Sequence, residues 1–345
     1  MGDEIRRTKP SAVWRGLWLV MLIYGGLGVG ARADELELSF RSFSYLHNLE
    51  FVGEATRYRD GETFFGQHLS LYATYFSAEH FQIRGGIFLG RSFGDDESLD
   101  EIRPLITAEY EPNRHFRLTF GNLDREGRLF DEAIFDDILL YQRPLETGMQ
   151  VNAGTSWFRA SYWLNWQALN TDAHREKFDM GSLGVVTRSP FRFDAQFHYI
   201  HRGGQQFDSG EVTDDFAVAT GVELQRAVGP FAAVSLSGHW YMSHYLLRDN
   251  DQRTSGRGVE VRSYLDWRGW QPFITSWWGE DFWTEDGDPF YQADRLWTFG
   301  FRKNWLIGRN IQIGLNFTAY HLEGEFQHAA SLRLSLAGQK LIPLG

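Results

Sequence analysis

The chain of 345 residues contains no cysteine. That absence excludes a disulfide framework and any thiolate metal site. Beyond the first thirty or so residues no stretch approaches 18 apolar residues, so no helical membrane span is expected there. Basic residues are outnumbered, with 34 Lys and Arg against 45 Asp and Glu and a formal net charge of −11, which disfavours nucleic acid as a partner. Catalytic signatures are also missing: there is no G-x-S-x-G elbow and no H-E-x-x-H pair. Asp95-Asp96, Asp136-Asp137 and Asp214-Asp215 read as solvated or cation-binding loop acids, and His198, His201, His239 and His244 read as strand-end histidines without metal-ligand spacing. The expectation is therefore a protein that is not an enzyme and has no metal and no cofactor.

What is present begins with a leader. Arg6, Arg7, Lys9 and Arg15 precede an apolar run from Leu17 to Tyr24, and Ala31-Arg32-Ala33 is a small-x-small cleavage signature. Residues 1–33 are read as a cleaved secretory signal peptide and 34–345 as one domain. A secreted chain without disulfides needs another source of stability. Closing a sheet into a barrel supplies one by removing every edge.

The mature sequence is a series of short alternating segments. Phe81, Ile83, Gly85, Ile87 and Leu89 alternate with Gln82, Arg84 and Gly86, and a strand sends such neighbours to opposite faces. About sixteen such segments can be drawn, the first near 35–47 and the last near 328–338. Short turns alternate with longer polar stretches near 48–67, 94–101, 124–146, 167–177, 202–211, 246–257, 280–293 and 321–327. This rhythm predicts an all-β fold, a transmembrane antiparallel up-and-down β-barrel in a Gram-negative outer membrane, with both termini periplasmic. Aromatic residues recur beside the short turns: Tyr75, Phe76, Phe81, Tyr110, Phe116, Trp157, Phe158, Phe191, Phe193, Trp267 and Trp270. Such rings suit a membrane interface.

Charge parity tests the barrel further. A basic side chain facing lipid at the midplane costs about 2–4 kcal/mol, so strand charges belong on the inward face. In 258–267, Val259, Val261, Leu265 and Trp267 oppose Glu260, Arg262 and Asp266. The inward set so derived is Arg41, Arg84, Arg103, Arg117, Arg159, Arg192, Arg262 and Arg333, with Glu109, Asp194, Glu223, Glu260 and Asp266. Parity near 147–154 and 178–187 is ambiguous. The segment 124–146 mixes acids with large apolar residues, and solvating it fully would be unfavourable, so it is expected to fold into the lumen.

Sixteen strands and a long acidic third loop facing basic wall residues resemble the general diffusion porins of Gram-negative outer membranes, in architecture and not in motif. The chain ends on Leu344-Gly345, without the terminal Phe or Trp usual in that family. The resemblance implies a passive channel for small hydrophilic solutes, constricted by the third loop. Asp124, Glu126, Asp131, Glu132, Asp136 and Asp137 would then be the loop acids, and Arg41, Arg84, Arg117 and Arg159 the facing bases. Outer-membrane lipid and lipopolysaccharide are the expected surroundings, and a homo-oligomer is compatible with the pattern. Three alternatives remain. Inward-parity Phe43, Tyr45, Phe88, Trp163, Tyr241, Phe273 and Trp277 suit a channel for carbohydrate or acidic polysaccharide, or else they pack against an inward loop. A plugged barrel with a structural or partner-binding role is another alternative. A hydrolase is the weakest.

Overall fold

The computed structural model describes residues 35–343, apart from 79, 96–98, 126, 127, 129, 205–209, 230 and 231. The signal-peptide expectation lies outside the described residues. Sixteen antiparallel strands close into one barrel in sequence order, with the first pairing the last. They are β1 (Glu35–Glu50), β2 (Glu62–Ala78), β3 (Phe81–Ser92), β4 (Glu101–Asn113), β5 (Phe116–Asn122), β6 (Thr147–Gly154), β7 (Phe158–Ala168) and β8 (Glu176–Arg188). Then follow β9 (Phe191–Gly203), β10 (Thr213–Ala227), β11 (Ala232–Leu247), β12 (Gln252–Trp267), β13 (Trp270–Glu280), β14 (Arg295–Ile307), β15 (Ile311–Leu322) and β16 (Glu325–Pro343). Glu35 faces Pro343, so both ends of the described chain lie at one end of the barrel, with the short turns.

The outer face is apolar. Val259, Val261, Leu265 and Trp267 of β12 are exposed, whereas Glu260 between them is fully buried. Phe191 and Phe193 of β9 likewise point out, with Asp194 in. The ambiguous segments are resolved by their buried members. In β6 Gln150 is inward and Met149 outward, and in β8 Asp179, Leu183 and Val185 are inward and Met180 outward. The β8 pattern was hard to read because two of its inward residues, Leu183 and Val185, are aliphatic.

Three expected loops shrink. The stretch near 48–67 shortens to a loop of residues 51–61, and those near 246–257 and 321–327 lie largely in strands that extend past the apolar band. The last two close in tight turns using Asp251 (φ 52°) and Glu323-Gly324 (φ 52° and 82°). Polar residues such as Arg253 and Thr254 looked like loop because a strand beyond the membrane needs no apolar face.

Two loops instead fold inward, so the lumen has two unlike halves. Residues 123–146, with one helical turn α1 (Leu139–Gln142), and residues 281–294 fill the loop end. Their Ala133, Ile134, Ile138, Leu139, Tyr141, Phe282, Phe290 and Tyr291 share one buried cluster with Tyr45, Tyr241, Trp277 and Leu296 of the wall. The two loops bind each other through Asp136 N–H to the Asp286 carbonyl (2.7 Å) and Asp288 N–H to the Glu132 carbonyl (2.7 Å). Thr284 Oγ1 donates to the Ala133 carbonyl (2.9 Å). The half nearer the termini holds a polar cavity of about 800 Å³.

Candidate functional site

The sequence-derived inward residues all occupy inward positions, but their partners differ from expectation. Arg84 meets Glu109 of the neighbouring strand (3.8 Å), Arg117 meets Glu111 (2.9 Å) and Arg192 meets Glu223 (3.1 Å). Arg103 pairs with Glu101 at the loop-end rim (3.0 Å). Arg41 shares the parity of Tyr45, and Arg159 shares that of Trp163 and lines a smaller cavity of about 320 Å³ with Asp124. Asp266 accepts from Gln271 (3.2 Å).

Asp124 shares the smaller cavity with Arg117 and Arg159, but the loop acids further along meet other bases. Asp131 lies 3.8 Å from Arg262, Glu132 3.5 Å from Arg302 and Asp137 3.0 Å from Arg333. The reason is the loop's path. It leaves the wall between β5 and β6 and crosses the lumen, so its tip reaches β12, β14 and β16. Asp136 pairs with Arg59, which also lies 3.7 Å from Asp288. Burial, with the adjacent Asp288 charge, pushes the Asp136 carboxyl up to about 7 despite Arg59. Glu126 lies outside the described residues.

The inward rings mostly pack against protein. Phe43 and Tyr45 contact Tyr141, Trp163 contacts Phe130, and Trp277 contacts Phe282 and Tyr291. Phe88 contacts His68, and Phe273 lies under Arg302. Of the seven, Trp163 and Phe273 border the larger cavity.

On the wall of that cavity the register assembles a group that sequence order does not reveal. Gly221 of β10 pairs with Asp194 of β9 on one side and His239 of β11 on the other, and His239 in turn pairs with Glu260 of β12. With no side chain at Gly221, the His239 ring crosses β10 and reaches Asp194. A Cβ at Gly221 would stand 1.9 Å from His239 Cδ2. His239 Nε2 lies 3.3 Å from Asp194 Oδ2, and Nδ1 has no hydrogen-bond partner. Asp194 and His239 are 6 % and 7 % exposed.

The inward loop completes the group. Gln196 donates to Asp131 (2.8 Å) and Asp194 (2.9 Å), and Tyr241 donates to Asp131 (3.1 Å). Arg262 also bonds Glu260 (2.8 Å), whose other oxygen accepts from Tyr291 (2.9 Å). Donor atoms of Asp131, Asp194 and His239 lie within 4.8 Å of one another, so the three could hold a divalent cation. The donors already on the two carboxylates, and Arg262 beside them, suit a hydrogen-bonded acid–base pair better.

His239 is not a strand-end residue: it sits mid-strand, as does His198. Its inward parity was legible, since Leu236 and Trp240 of the same strand point out. Its pairing with Asp194 was not, because that depends on the register of three strands and on a glycine between them.

The fold is that of outer-membrane porins. OmpT of Vibrio cholerae lacking loop L8 is 11 % identical, with coverage of 89 % of this chain and 100 % of that one and a TM-score of 0.54. The anion-selective porin from Comamonas acidovorans is 10 % identical, with coverage of 88 % and 100 % and a TM-score of 0.55. OccAB3 of Acinetobacter baumannii is 9 % identical, with coverage of 89 % and 99 % and a TM-score of 0.51. At these identities the likeness shows architecture alone. No curated protein matches the sequence. The expectation of a protein that is not an enzyme is overturned by a family match: over residues 30–342 the chain belongs to the Lipid A 3'-O-deacylase-type family.

Proposed function

We propose that the protein is an outer-membrane acyl-ester hydrolase acting on a lipid A-type glycolipid, with its loop end at the cell exterior and its chemistry at His239, Asp194 and Asp131. One observation carries the reading: a buried imidazole held by a carboxylate through one nitrogen, its other nitrogen unpartnered, beside a cavity of about 800 Å³.

Asp194 holds the Nε2–H, which leaves the Nδ1 lone pair as base. Nδ1 takes a proton from water as the water oxygen adds to the acyl carbonyl. The tetrahedral oxyanion meets the Arg262 guanidinium, and Glu260 fixes that guanidinium in place. Collapse breaks the ester C–O bond, and the Nδ1–H proton passes to the departing sugar alkoxide. The products are a free fatty acid and a sugar hydroxyl. Asp131 and Gln196 position the Asp194–His239 pair. Family membership supplies the substrate class, and the apolar outer face supports residence in the membrane.

The test is acyl release from lipid A in vesicles. His239→Ala is expected to lower the rate by about 10²–10⁴-fold, the usual worth of a positioned general base, while the barrel keeps its heat-modifiable migration. A folded His239→Ala variant that releases acyl chains at the wild-type rate would overturn the assignment. A second reading, passive conduction of small hydrophilic solutes, is favoured by the charged lining of the cavity and opposed by the packed loop end. Stepwise conductance in planar bilayers at wild-type loop length would support it.

A further inference from the structure

The barrel wall has its shortest ladders around one hairpin. β5 and β6 form seven ladder pairs, from Phe116↔Ala153 to Asn122↔Thr147. About 9–11 residues are needed for a strand to cross the hydrocarbon region. β4 continues beyond them, yet its ladder to β5 ends at Thr107↔Gly121, so Glu101–Ile106 pair only with β3. On the far side β7 loses its β6 partner above Asn165. Between β4 and β7 the loop end therefore has a notch in which no strand closes the wall.

The notch is built into the chain. At its foot Gly121 pairs with Gly148. A Cβ on Gly121 would lie 2.0 Å from the Ile106 carbonyl oxygen, one on Gly148 2.0 Å from that of Leu164, and Gly121 has φ +106°. Side chains at either place would push the hairpin off its neighbours, so these two glycines let the hairpin leave the wall and turn inward. The open edge of β4 is blunted. Ile106 N–H donates to Asn122 Oδ1 (2.7 Å), and Pro104, of the same parity, has no N–H to leave bare.

Its margins suit a hydrocarbon chain. Ile106, Phe120 and Tyr162 are 63 %, 60 % and 61 % exposed on the outer face, among the most exposed large apolar side chains of the wall. Behind them Arg125 and Arg128 both bond the single carboxylate of buried Glu146, leaving an excess positive charge, and Arg128 Nε has no hydrogen-bond partner. Arg125, Arg128 and Glu146 line the same cavity that reaches Asp194 and His239.

We propose that this notch admits one fatty acyl chain of an anionic, lipid A-class glycolipid sideways from the outer leaflet into the lumen. The inference rests on the hydrolase reading for its substrate and adds the route. A soluble ester would reach His239 through the cavity. A membrane-held acyl chain has to pass the wall, and the ladders on either side of and within this hairpin are the shortest among the described strands.

The test uses the full-length protein with a photoreactive benzophenone side chain at Leu140, which lines the cavity behind the notch, in vesicles of lipid A with phosphatidylethanolamine. Capture of lipid A acyl chains is expected, to fall at least about tenfold in Ile106→Trp and to persist in Leu332→Trp on the complete far wall. Absence of capture, or equal capture in both variants, overturns the route. Capture of phosphatidylethanolamine in proportion to its abundance overturns the glycolipid assignment. Capture is read without turnover. Capture with no acyl release by the unmodified protein sinks the hydrolase and leaves the notch, whereas acyl release with no capture does the reverse.

Discussion

The seam between β1 and β16 and the hairpin of β5 and β6 are two solutions to the same wall. The seam carries sixteen paired positions, from Glu35↔Pro343 to Glu50↔His328, and the hairpin carries seven. Along the seam Leu38, Leu46 and Leu332 point outward while Tyr45, His47 and Arg333 point inward to meet Tyr141 or Asp137. The hairpin turns away from the wall at paired glycines and sends 24 residues, 123–146, across the lumen. A continuous ladder satisfies the backbone and excludes lipid. An interrupted one gives up part of that closure to place a loop, with Asp131 on it, beside residues the wall already holds.

The contrast can be broken most strongly at glycine. Gly121→Ala is expected to destabilise the folded protein by about 2–4 kcal/mol, since it adds a backbone clash to an unfavourable φ. Gly338→Ala in the seam would meet the Phe40 ring at 2.5 Å, a side chain able to turn, and is expected to cost about 1 kcal/mol or less. Urea unfolding in liposomes compares the two, and equal losses would show that the hairpin is no more constrained than the seam.

A lipid-facing charge separates them next. Leu332→Arg, mid-strand in the seam, should cost about 2–4 kcal/mol, and Ile106→Arg, beside the notch, about 0–1 kcal/mol, as near an interface. The same unfolding assay reads both. Asn122→Ala removes the acceptor for Ile106 N–H and should cost about 1 kcal/mol, seen as faster amide exchange at 101–106 with no change in the seam.

The smallest effect is on pH. Around Asp136 stand Arg59, Asp137, Asp286 and Asp288. Because its folded value is raised from 3.8 to about 7, its contribution is complete below about pH 4 and is lost as pH rises through about 7. Amide exchange in 131–139 should quicken between pH 5 and 8, with the seam unmoved, and Asp136→Asn should flatten that dependence.

How much of this could be read from the chain follows from which forces are local. Alternation within β3, β9 and β12 is set by the pleat and by the two solvents on either side, so Arg84, Asp194 and Arg262 were legible as inward residues without any partner in view. The inward loop was legible too, because Ile134, Phe135, Ile138 and Leu139 do not suit water. Polar strand ends beyond the apolar band, such as Gln252 to Ser255, were not, since no membrane patterns them. The proposed catalytic pair was missed for a different reason. His239 and Asp194 are 45 residues apart, and no local motif links them.

By itself the sequence determined a barrel with a lipid face and a polar face, because the side-chain period of a strand is two and each environment selects its own residues. Only the tertiary structure decided which inward residues meet. Closure of sixteen strands sets one register, and that register puts Gly221 between Asp194 and His239. The path of 123–146 then carries Asp131 past Arg84 and Arg117 to Arg262, and pairing that stops at Gly121 leaves the wall notched. Those are consequences of long-range hydrogen-bond registry and loop packing, which no window along the chain contains.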